Sequence, residues 1–401
     1  MSWPARSSAI LVIHGVGEQA PFETLDFFTR GLRGALSERY PDVTATHRLQ
    51  RHASGWMESF VSLGRPGNDA TIDVYELYWA HRMQRHASMR DVLEWLIATS
   101  DGARRFYDEN AELARLYRDL EMGAFDRHDR FKLAWYLRAA GPISWLLRLG
   151  LVGRRALRMP TFGLSGPFLS VIGALISGLG GKAAKLIVDY VGDIAVYTTT
   201  DVKSRHFAIR DQILREAQDA LWDLIGRYPK VIVAGHSLGS VIAYDALSRA
   251  ALRMSQDRQA AQQADRFGGL LTFGSPLDKV AFFFRRRTPE PQTIRRQIQA
   301  YRFGFRARYF EADRVLHGLG AQARLEQGAA APEALARMPW LNYWNPDDPV
   351  SGQLDYYVLD PGANVNVRRP DGPYAAMAEL GPSAAHGAYF AWPPMYKRLL
   401  D

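Results

Sequence analysis

The stretch from Lys230 to Tyr244, K-V-I-V-A-G-H-S-L-G-S-V-I-A-Y, decides how this chain of 401 residues folds. Val231–Ala234 is a short run of β-branched and small apolar residues, which is typical of a buried strand. Ser240–Ser248 continues with apolar spacing that predicts a helix. The small residues of Gly235–Gly239 between them permit a very tight turn. The segment therefore predicts a strand, a sharp turn and a helix in immediate succession.

The serine in this turn is a candidate nucleophile. Gly235–Gly239 matches the pattern G-x-S-x-G of a nucleophile elbow, in which the turn lifts the serine hydroxyl above the edge of the sheet. The helix that starts there directs free backbone N–H groups and its positive dipole end to the same place. Ser237 is therefore predicted to be catalytic. The alternative is a structural turn between strand and helix in which Ser237 is incidental.

Other strand-like runs alternate with amphipathic helices along the chain. This alternation predicts an α/β fold with a mainly parallel sheet flanked by helices. We expect residues 1–55 and 201–401 to form the core, with 71–79 as a further core strand. Residues 80–200, which are basic and apolar, are expected to form a large helical cap or insertion. The further predicted strands are Ala9–Ile13, Thr71–Trp79, Phe267–Phe273 and Trp340–Trp344.

Three segments resemble the α/β-hydrolases of the lipase and esterase type. Ile232–Tyr244 is similar to their serine turn, Leu11–Gly17 to their H-G oxyanion loop, and Thr272–Pro276 to their F-G-S-P strand end. The resemblance does not extend over Trp56–Thr200. It implies the α/β-hydrolase fold and a serine hydrolase that cleaves carboxylic esters through an acyl-enzyme. It implies that no cofactor is needed.

The resemblance also implies the acid and the base, since in this fold the triad follows the order serine, acid, histidine. Of the ten histidines, only His317 and His386 follow Ser237. Asp348-Pro349-Val350, after the predicted strand 340–344, matches the D-x-V turn of lipases, and His386 is the only histidine beyond it. Ala384–Tyr389 resembles the H-x-x-Y element of lipase C-termini. Ser237, Asp348 and His386 are thus the predicted triad.

Alternatives for the acid are Asp347, which is adjacent, and Asp278, which follows the preceding strand. The oxyanion hole is expected from the backbone N–H of Leu238 and one N–H from the Gly15–Val16 loop. His14 and His236 are predicted to shape the pocket wall or to bond locally rather than to act as bases.

The residue types exclude several other chemistries. The chain has no cysteine, which excludes disulfides, thiolate zinc sites, iron–sulfur clusters and a cysteine nucleophile. No H-E-x-x-H or similar ligand spacing occurs, so we predict no metal site.

The net charge of +8 is concentrated in two segments. Residues 130–188 contain nine basic and no acidic residues, and residues 280–310 contain eight arginines and one acid, Glu290. These segments carry +9 and +7, so the rest of the chain carries −8. No helix-turn-helix, RRM or KH pattern accompanies the charge, so we expect no nucleic-acid partner. Basic residues mixed with Trp and Leu favour an anionic membrane surface as the partner.

Residues 80–200 have three interpretations: a cap packed on the sheet, a segment in peripheral contact with lipid, or a transmembrane span over 160–181. Residues 160–181 have no charged side chain over 22 residues but include six Gly and two Pro. The N-terminus lacks a secretory signal pattern, which favours a cytoplasmic protein that associates peripherally with membranes.

A lipid or long-chain acyl ester is the expected substrate. The alternatives are a non-catalytic membrane-binding or scaffold protein, and a thioesterase, acyltransferase or amidase with the same triad.

Overall fold

A computed structural model describes a large part of the chain. The described residues are 3–15, 20–51, 57–83, 197, 205–277, 280, 306, 335–345, 348, 350–354, 357–367 and 386–399. The chain divides into two compact units, the first of Met1–Gln84, Thr199–Ala281 and Thr288–Asp401, the second of Arg85–Thr198 and Phe282–Arg287. Every element below belongs to the first unit. The predicted cap lies outside the described residues apart from 80–83 and Tyr197.

One sheet of eight strands organises the first unit, in the order β2-β3-β4-β1-β5-β6-β7-β8. β3 runs antiparallel to β2 and β4, and every other neighbouring pair is parallel. The protein therefore has the mostly parallel α/β architecture that the sequence predicts. The strands are β1 (Ser8–Ile13), β2 (Thr44–Arg51), β3 (Met57–Arg65), β4 (Asn68–Leu77), β5 (Val231–His236), β6 (Phe267–Phe273), β7 (Trp340–Trp344) and β8 (Asn364–Asn366).

The described helices lie between these strands or follow the last of them. None of them is long and apolar enough to cross a membrane, and the uncharged segment 160–181 lies outside the described part of the chain. Short 3₁₀ helices cover Ala264–Arg266 and Ala388–Ala391. The α-helices are α1 (Glu23–Ser37), α2 (Ala80–Met83), α3 (Arg205–Arg227), α4 (Leu238–Gln256), α5 (Arg258–Ala261) and α6 (Pro393–Leu399).

Helices pack on both faces of the sheet. Successive strand residues point to opposite faces, so Ile10 and Val12 share one face of β1. They belong to a buried cluster with Phe28 and Leu32 of α1 and Tyr396 of α6. The α1 and α6 helices thus cover this face, and burial of their apolar side chains stabilises it by the hydrophobic effect.

The opposite face is covered by α4. Trp340 of β7 is paired with Leu270 of β6 and lies on the face opposite to Leu271, which belongs to the cluster under α1. Tyr244 of α4 contacts Trp340 with ring centroids 5.9 Å apart. Because both faces are covered, β5 is buried at every position and reads in the sequence as a continuous apolar run.

The order in which successive strands are added to the sheet reverses between β1 and β5. From β1 the chain passes through α1, β2 and β3 to β4, which lies on one side of β1. β5 lies on the other side of β1, and β6, β7 and β8 continue away from it. In open α/β sheets, ligands bind outside the carboxyl ends of the strands at such a switch point. The loops after β1 and β5 are therefore where a site is expected.

Candidate active site

Ser237 occupies the tip of the turn between β5 and α4. Its backbone has φ 54° and ψ −129°, a conformation that residues with a side chain rarely adopt and that costs about 1–3 kcal/mol. The residue is fully buried, and its N–H donates to the carbonyl of Phe273 at the end of β6. The Ser237 Oγ is buried and has no hydrogen-bond partner among the described residues. The turn therefore places Ser237 at the switch point with a strained backbone. Its hydroxyl makes no hydrogen bond with the described residues.

The two glycines of the turn are dictated by backbone contacts. A Cβ atom at Gly235 would lie 2.5 Å from the Cα of Ser240, and one at Gly239 would lie 2.2 Å from the carbonyl oxygen of Ile13. Backbone cannot move aside as a flexible side chain can. The start of α4 thus packs directly on the end of β1, and this packing explains the spacing G-x-S-x-G.

Hydroxyl groups join this turn to the loop after β6. The Ser240 Oγ donates to the carbonyl of Ser237 at 2.5 Å and lies 2.7 Å from the Ser275 Oγ. The carbonyl of Ser275 in turn accepts the N–H of Gly352 at 2.9 Å. The F-G-S-P segment therefore connects the serine turn to the chain beyond β7.

His386 and Asp348 form a buried pair. The Nδ1 of His386 lies 2.9 Å from Oδ2 of Asp348, and the two residues are 8% and 2% exposed. A neutral imidazole that donates from Nδ1 has its lone pair on Nε2. The predicted acid and base are thus in contact, and the ring is oriented to accept a proton at Nε2.

Further donors surround the carboxylate of Asp348. The N–H of Val350 donates to Oδ1 at 2.9 Å, and the hydroxyl of Tyr389 donates to Oδ2 at 2.8 Å. Burial alone would raise the pKa of Asp348, but His386 and these donors outweigh it and hold the pKa below its usual value. Asp348 is therefore a carboxylate at neutral pH. The alternative acids Asp347 and Asp278, and also His317, lie outside the described residues.

Gly274, the residue after β6, lies against the imidazole of His386. It has φ +60°, and a Cβ atom there would lie 3.2 Å from Cε1 of His386. It directly follows Phe273, whose carbonyl accepts the N–H of Ser237. The structure thus brings Ser237, His386 and Asp348 to one edge of the sheet, at the carboxyl ends of β5, β6 and β7.

The loop after β1 lies against the serine. A Cβ atom at Gly15 would be 2.6 Å from the Cβ of Ser237 and 3.2 Å from its Oγ, so only glycine fits here. Leu238 is the first residue of α4, where backbone N–H groups have no partner within the helix. Gly15 thus lies next to Ser237 in space and Leu238 follows it in the chain, whereas Val16 lies outside the described residues. The oxyanion hole formed by these residues stays a prediction.

His14 holds this loop in place. Its Nδ1 lies 2.7 Å from the carbonyl oxygen of Gly15, and its Nε2 accepts the N–H of Trp79 at 3.0 Å. The ring stacks on the indole of Trp79 at 4.8 Å. Burial lowers the pKa of His14 to about 4, so the ring is neutral. One of these contacts is to the neighbouring residue Gly15, and the other is to Trp79, 65 positions further along the chain.

Two contacts at the site are not predicted by the sequence. The H-x-x-Y pattern includes Tyr389 but does not indicate its partner, and in the structure Tyr389 donates to Asp348. His236, which is predicted to shape the pocket wall or to bond locally, donates from Nε2 to the carbonyl of His386 at 3.0 Å. That contact joins residues 150 positions apart, and no periodicity or spacing in the sequence signals it.

Among the described residues, no group of three His, Asp or Glu side chains is placed to hold a metal ion.

The chain matches no protein-family model, no curated protein and no solved structure. The interpretation of the site therefore depends on its own geometry and chemistry.

Proposed function

We propose that the protein is a serine hydrolase of the α/β-hydrolase fold that cleaves carboxylic esters through an acyl-enzyme. One observation carries the proposal: the strained Ser237 and the buried pair of His386 and Asp348 lie at the same edge of the sheet. A nucleophile, a base and a group that orients the base are the parts that acyl transfer requires.

The first half of the reaction forms the acyl-enzyme. The Ser237 Oγ attacks the carbonyl carbon of the ester while Nε2 of His386 takes the hydroxyl proton. The bond from the carbonyl carbon to the alcohol oxygen then breaks, and the alcohol leaves with that proton. Asp348 stabilises the imidazolium that exists between these two events, because its carboxylate lies 2.9 Å from Nδ1.

The second half releases the acid. Water attacks the acyl carbon, His386 accepts a proton from the water, and the carboxylic acid leaves as Ser237 regains its hydrogen. In both halves the carbonyl oxygen becomes an oxyanion. The N–H of Leu238 and one from the Gly15–Val16 loop would stabilise it, and one such donor is worth about 10²–10³ in kcat.

We infer a lipid or long-chain acyl ester at an anionic membrane surface as the substrate. The support comes from the sequence: residues 130–188 and 280–310 carry +9 and +7, and the first segment contains Trp135 and Trp145 among its basic residues. Anionic head groups attract such charge while the indole rings enter the interface.

A fluorophosphonate probe tests the catalytic part of this proposal. The wild-type protein is expected to become labelled at Ser237, located by mass spectrometry of the modified peptide, and to hydrolyse a short soluble ester. Ser237→Ala removes labelling and turnover. Ser255→Ala, a change at the far end of α4, retains both and controls for effects of the substitution itself. Labelling that survives Ser237→Ala would overturn the assignment.

A substrate panel tests the class. Esters of increasing acyl length, phospholipids and acyl thioesters are offered on vesicles that contain or lack phosphatidylserine. The proposal predicts the highest turnover with long-chain esters on the anionic vesicles. Turnover of thioesters alone would favour a thioesterase, and equal turnover on both vesicle types would contradict the anionic surface.

A further inference from the structure

We propose that His236 is a positioning residue that fixes the base His386 relative to the nucleophile, through a hydrogen bond from its Nε2 to the main-chain carbonyl of His386. This inference rests on the proposed function. It assigns a task to a side chain that takes no part in the proton transfers described above.

The bond connects the nucleophile turn to the segment that carries the base. His236 is the last residue of β5 and precedes Ser237. Its Nε2 lies 3.0 Å from the carbonyl oxygen of His386, and the two imidazole rings are 4.8 Å apart. Asp348 holds the side chain of His386, and His236 holds its main chain. The base His386 is thereby held by two hydrogen bonds. One of them comes from His236, the residue that precedes the nucleophile Ser237.

The His236 ring is itself fixed by its surroundings. It stacks on Phe273 with centroids 5.1 Å apart and meets the edge of Phe390 at 5.0 Å. A Cβ atom at Gly15 would lie 3.2 Å from Nδ1, and one at Gly274 would lie 3.3 Å from Nε2. Because these neighbours hold the His236 ring in one rotamer, its hydrogen bond also fixes the position of the His386 main chain.

The ring is a neutral donor. Burial, followed by the proximity of His386, lowers the pKa of His236 to about 3. The titratable groups that act on it are His386, Asp348 and His14, and their summed effect does not restore the charge. Neutrality suits the task, since a second cation beside His386 would oppose the imidazolium that forms during proton transfer.

Two variants separate the effect of the hydrogen bond from His236 to His386 from the effect of the packing of the His236 ring. His236→Phe keeps a planar ring and removes the donor. His236→Gln places an amide N–H near the position of the imidazole Nε2 and restores the donor without the ring. If the bond positions the base, His236→Phe lowers kcat for a soluble ester by about 10- to 100-fold with KM unchanged. His236→Gln recovers most of that loss.

The pH profile gives a readout that packing alone would not change. In His236→Phe the base is held less well against Asp348, so its protonated form is less stabilised. The acid limb of the profile for kcat/KM therefore moves to lower pH in this variant and returns toward its original position in His236→Gln. Wild-type kcat and an unmoved acid limb in His236→Phe would overturn the inference, and so would equal losses in both variants.

A spectroscopic measurement keeps the test independent of turnover and of the stability of any one variant. In ¹⁵N-histidine spectra of the full chain, we expect the Nδ1–H proton of His386 to be deshielded by its bond to Asp348, 2.9 Å away. We expect this signal in wild type, in Ser237→Ala and in His236→Gln, and its broadening in His236→Phe. If His236→Phe does not fold, His236→Met replaces it with the same expectation.

These measurements distinguish the two proposals. A wild-type protein that neither hydrolyses esters nor reacts with the probe contradicts the proposed function, while the His386 signal still tests the bond from His236. An active wild type whose His386 signal and kcat are unaffected by His236→Phe contradicts the positioning role alone.

Discussion

The imidazole of His386 and the carboxylate of Asp348 lie 2.9 Å apart in a buried environment. A buried carboxylate is costly unless donors surround it, and Asp348 accepts hydrogen bonds at both of its oxygens. Removing one member of such a pair leaves the other without compensation. The pair is therefore a place where a single atom can be changed with a large and specific effect.

Asp348→Asn tests the acid. An amide presents N–H groups as well as an oxygen to Nδ1 of His386, which favours the wrong tautomer and removes the charge that stabilises the imidazolium. We expect kcat for a soluble ester to fall by about 10³–10⁴ with little change in KM. Asp347→Asn, a change at the adjacent aspartate, serves as the control and is expected to retain nearly full activity. The reverse pattern would identify Asp347 as the acid.

Tyr389→Phe tests the second donor to the carboxylate. Its hydroxyl is 2.8 Å from Oδ2 of Asp348, and a hydrogen bond to a charged group contributes about 1.5–3 kcal/mol. We expect a decrease of that size in the free energy of unfolding, measured in urea, and a moderate decrease in kcat.

Tyr396→Phe is the matched control for this variant. The Tyr396 hydroxyl donates to the carbonyl of Phe390 at 2.9 Å, which is a bond between neutral groups. We expect a smaller loss of stability, about 0.5–1.5 kcal/mol, and unchanged kcat. Equal losses of kcat in the two variants would show that the effect of Tyr389 does not act through Asp348.

The central strands could be predicted from the sequence because they are buried on both faces. Val231–Ala234, Ala9–Ile13 and Phe267–Phe273 are apolar runs, and the structure places them in adjacent parallel strands. The G-x-S-x-G spacing could also be interpreted, since its glycines meet backbone atoms of fixed position. Local rules suffice where burial or a tight turn limits the choice of residue.

The outer strands and the contacts between distant segments could not be predicted in this way. β2 is exposed from Thr44 to Leu49 at the edge of the sheet, so its sequence T-A-T-H-R-L-Q-R has no apolar run or apolar alternation. β3 and the three-residue β8 were likewise not predicted. The contact between His236 and His386 joins residues that are 150 positions apart in the chain. Tertiary structure, rather than local preference, determines all of these.

Gly239→Ala tests the close approach of α4 to β1. The added Cβ atom would lie 2.2 Å from the carbonyl oxygen of Ile13, so the helix or the strand must move. We expect a loss of several kcal/mol in the free energy of unfolding, or failure to fold. Gly34→Ala in α1 has nothing within 4 Å of the added atom and is expected to gain about 0.5–1 kcal/mol. A tolerated Gly239→Ala would contradict the packing described for the serine turn.

The stability of the protein is expected to fall as the pH is lowered from 7 to 5. Burial lowers the pKa of His14 to about 4 and that of His236 to about 3, both below the usual 6.5. Below pH 6.5 the unfolded chain therefore binds protons that the folded protein does not, so protonation favours unfolding. Each of these groups contributes a slope that stays small near pH 7 and approaches its limit of roughly 1 kcal/mol per pH unit only below pH 6, where the unfolded imidazole is mostly protonated.

Urea unfolding at pH 7, 6 and 5 measures this slope. His236→Gln removes one of the two groups and is expected to reduce the slope, whereas His47→Gln, a change at an exposed histidine of β2, leaves it unaltered. A free energy of unfolding that is constant from pH 7 to 5 would show that the two buried rings are not neutral in the folded protein.

Ser237→Gly tests whether strain is stored at the nucleophile. Glycine adopts φ 54° without the steric penalty of a Cβ atom, whereas alanine retains that penalty. We expect Ser237→Gly to be more stable than Ser237→Ala by about 1 kcal/mol in urea unfolding, although both lack activity. At Ser248, inside α4, the order is expected to reverse, because alanine is about 1 kcal/mol better than glycine in a helix. The same order at both positions would mean that the turn at Ser237 is relaxed.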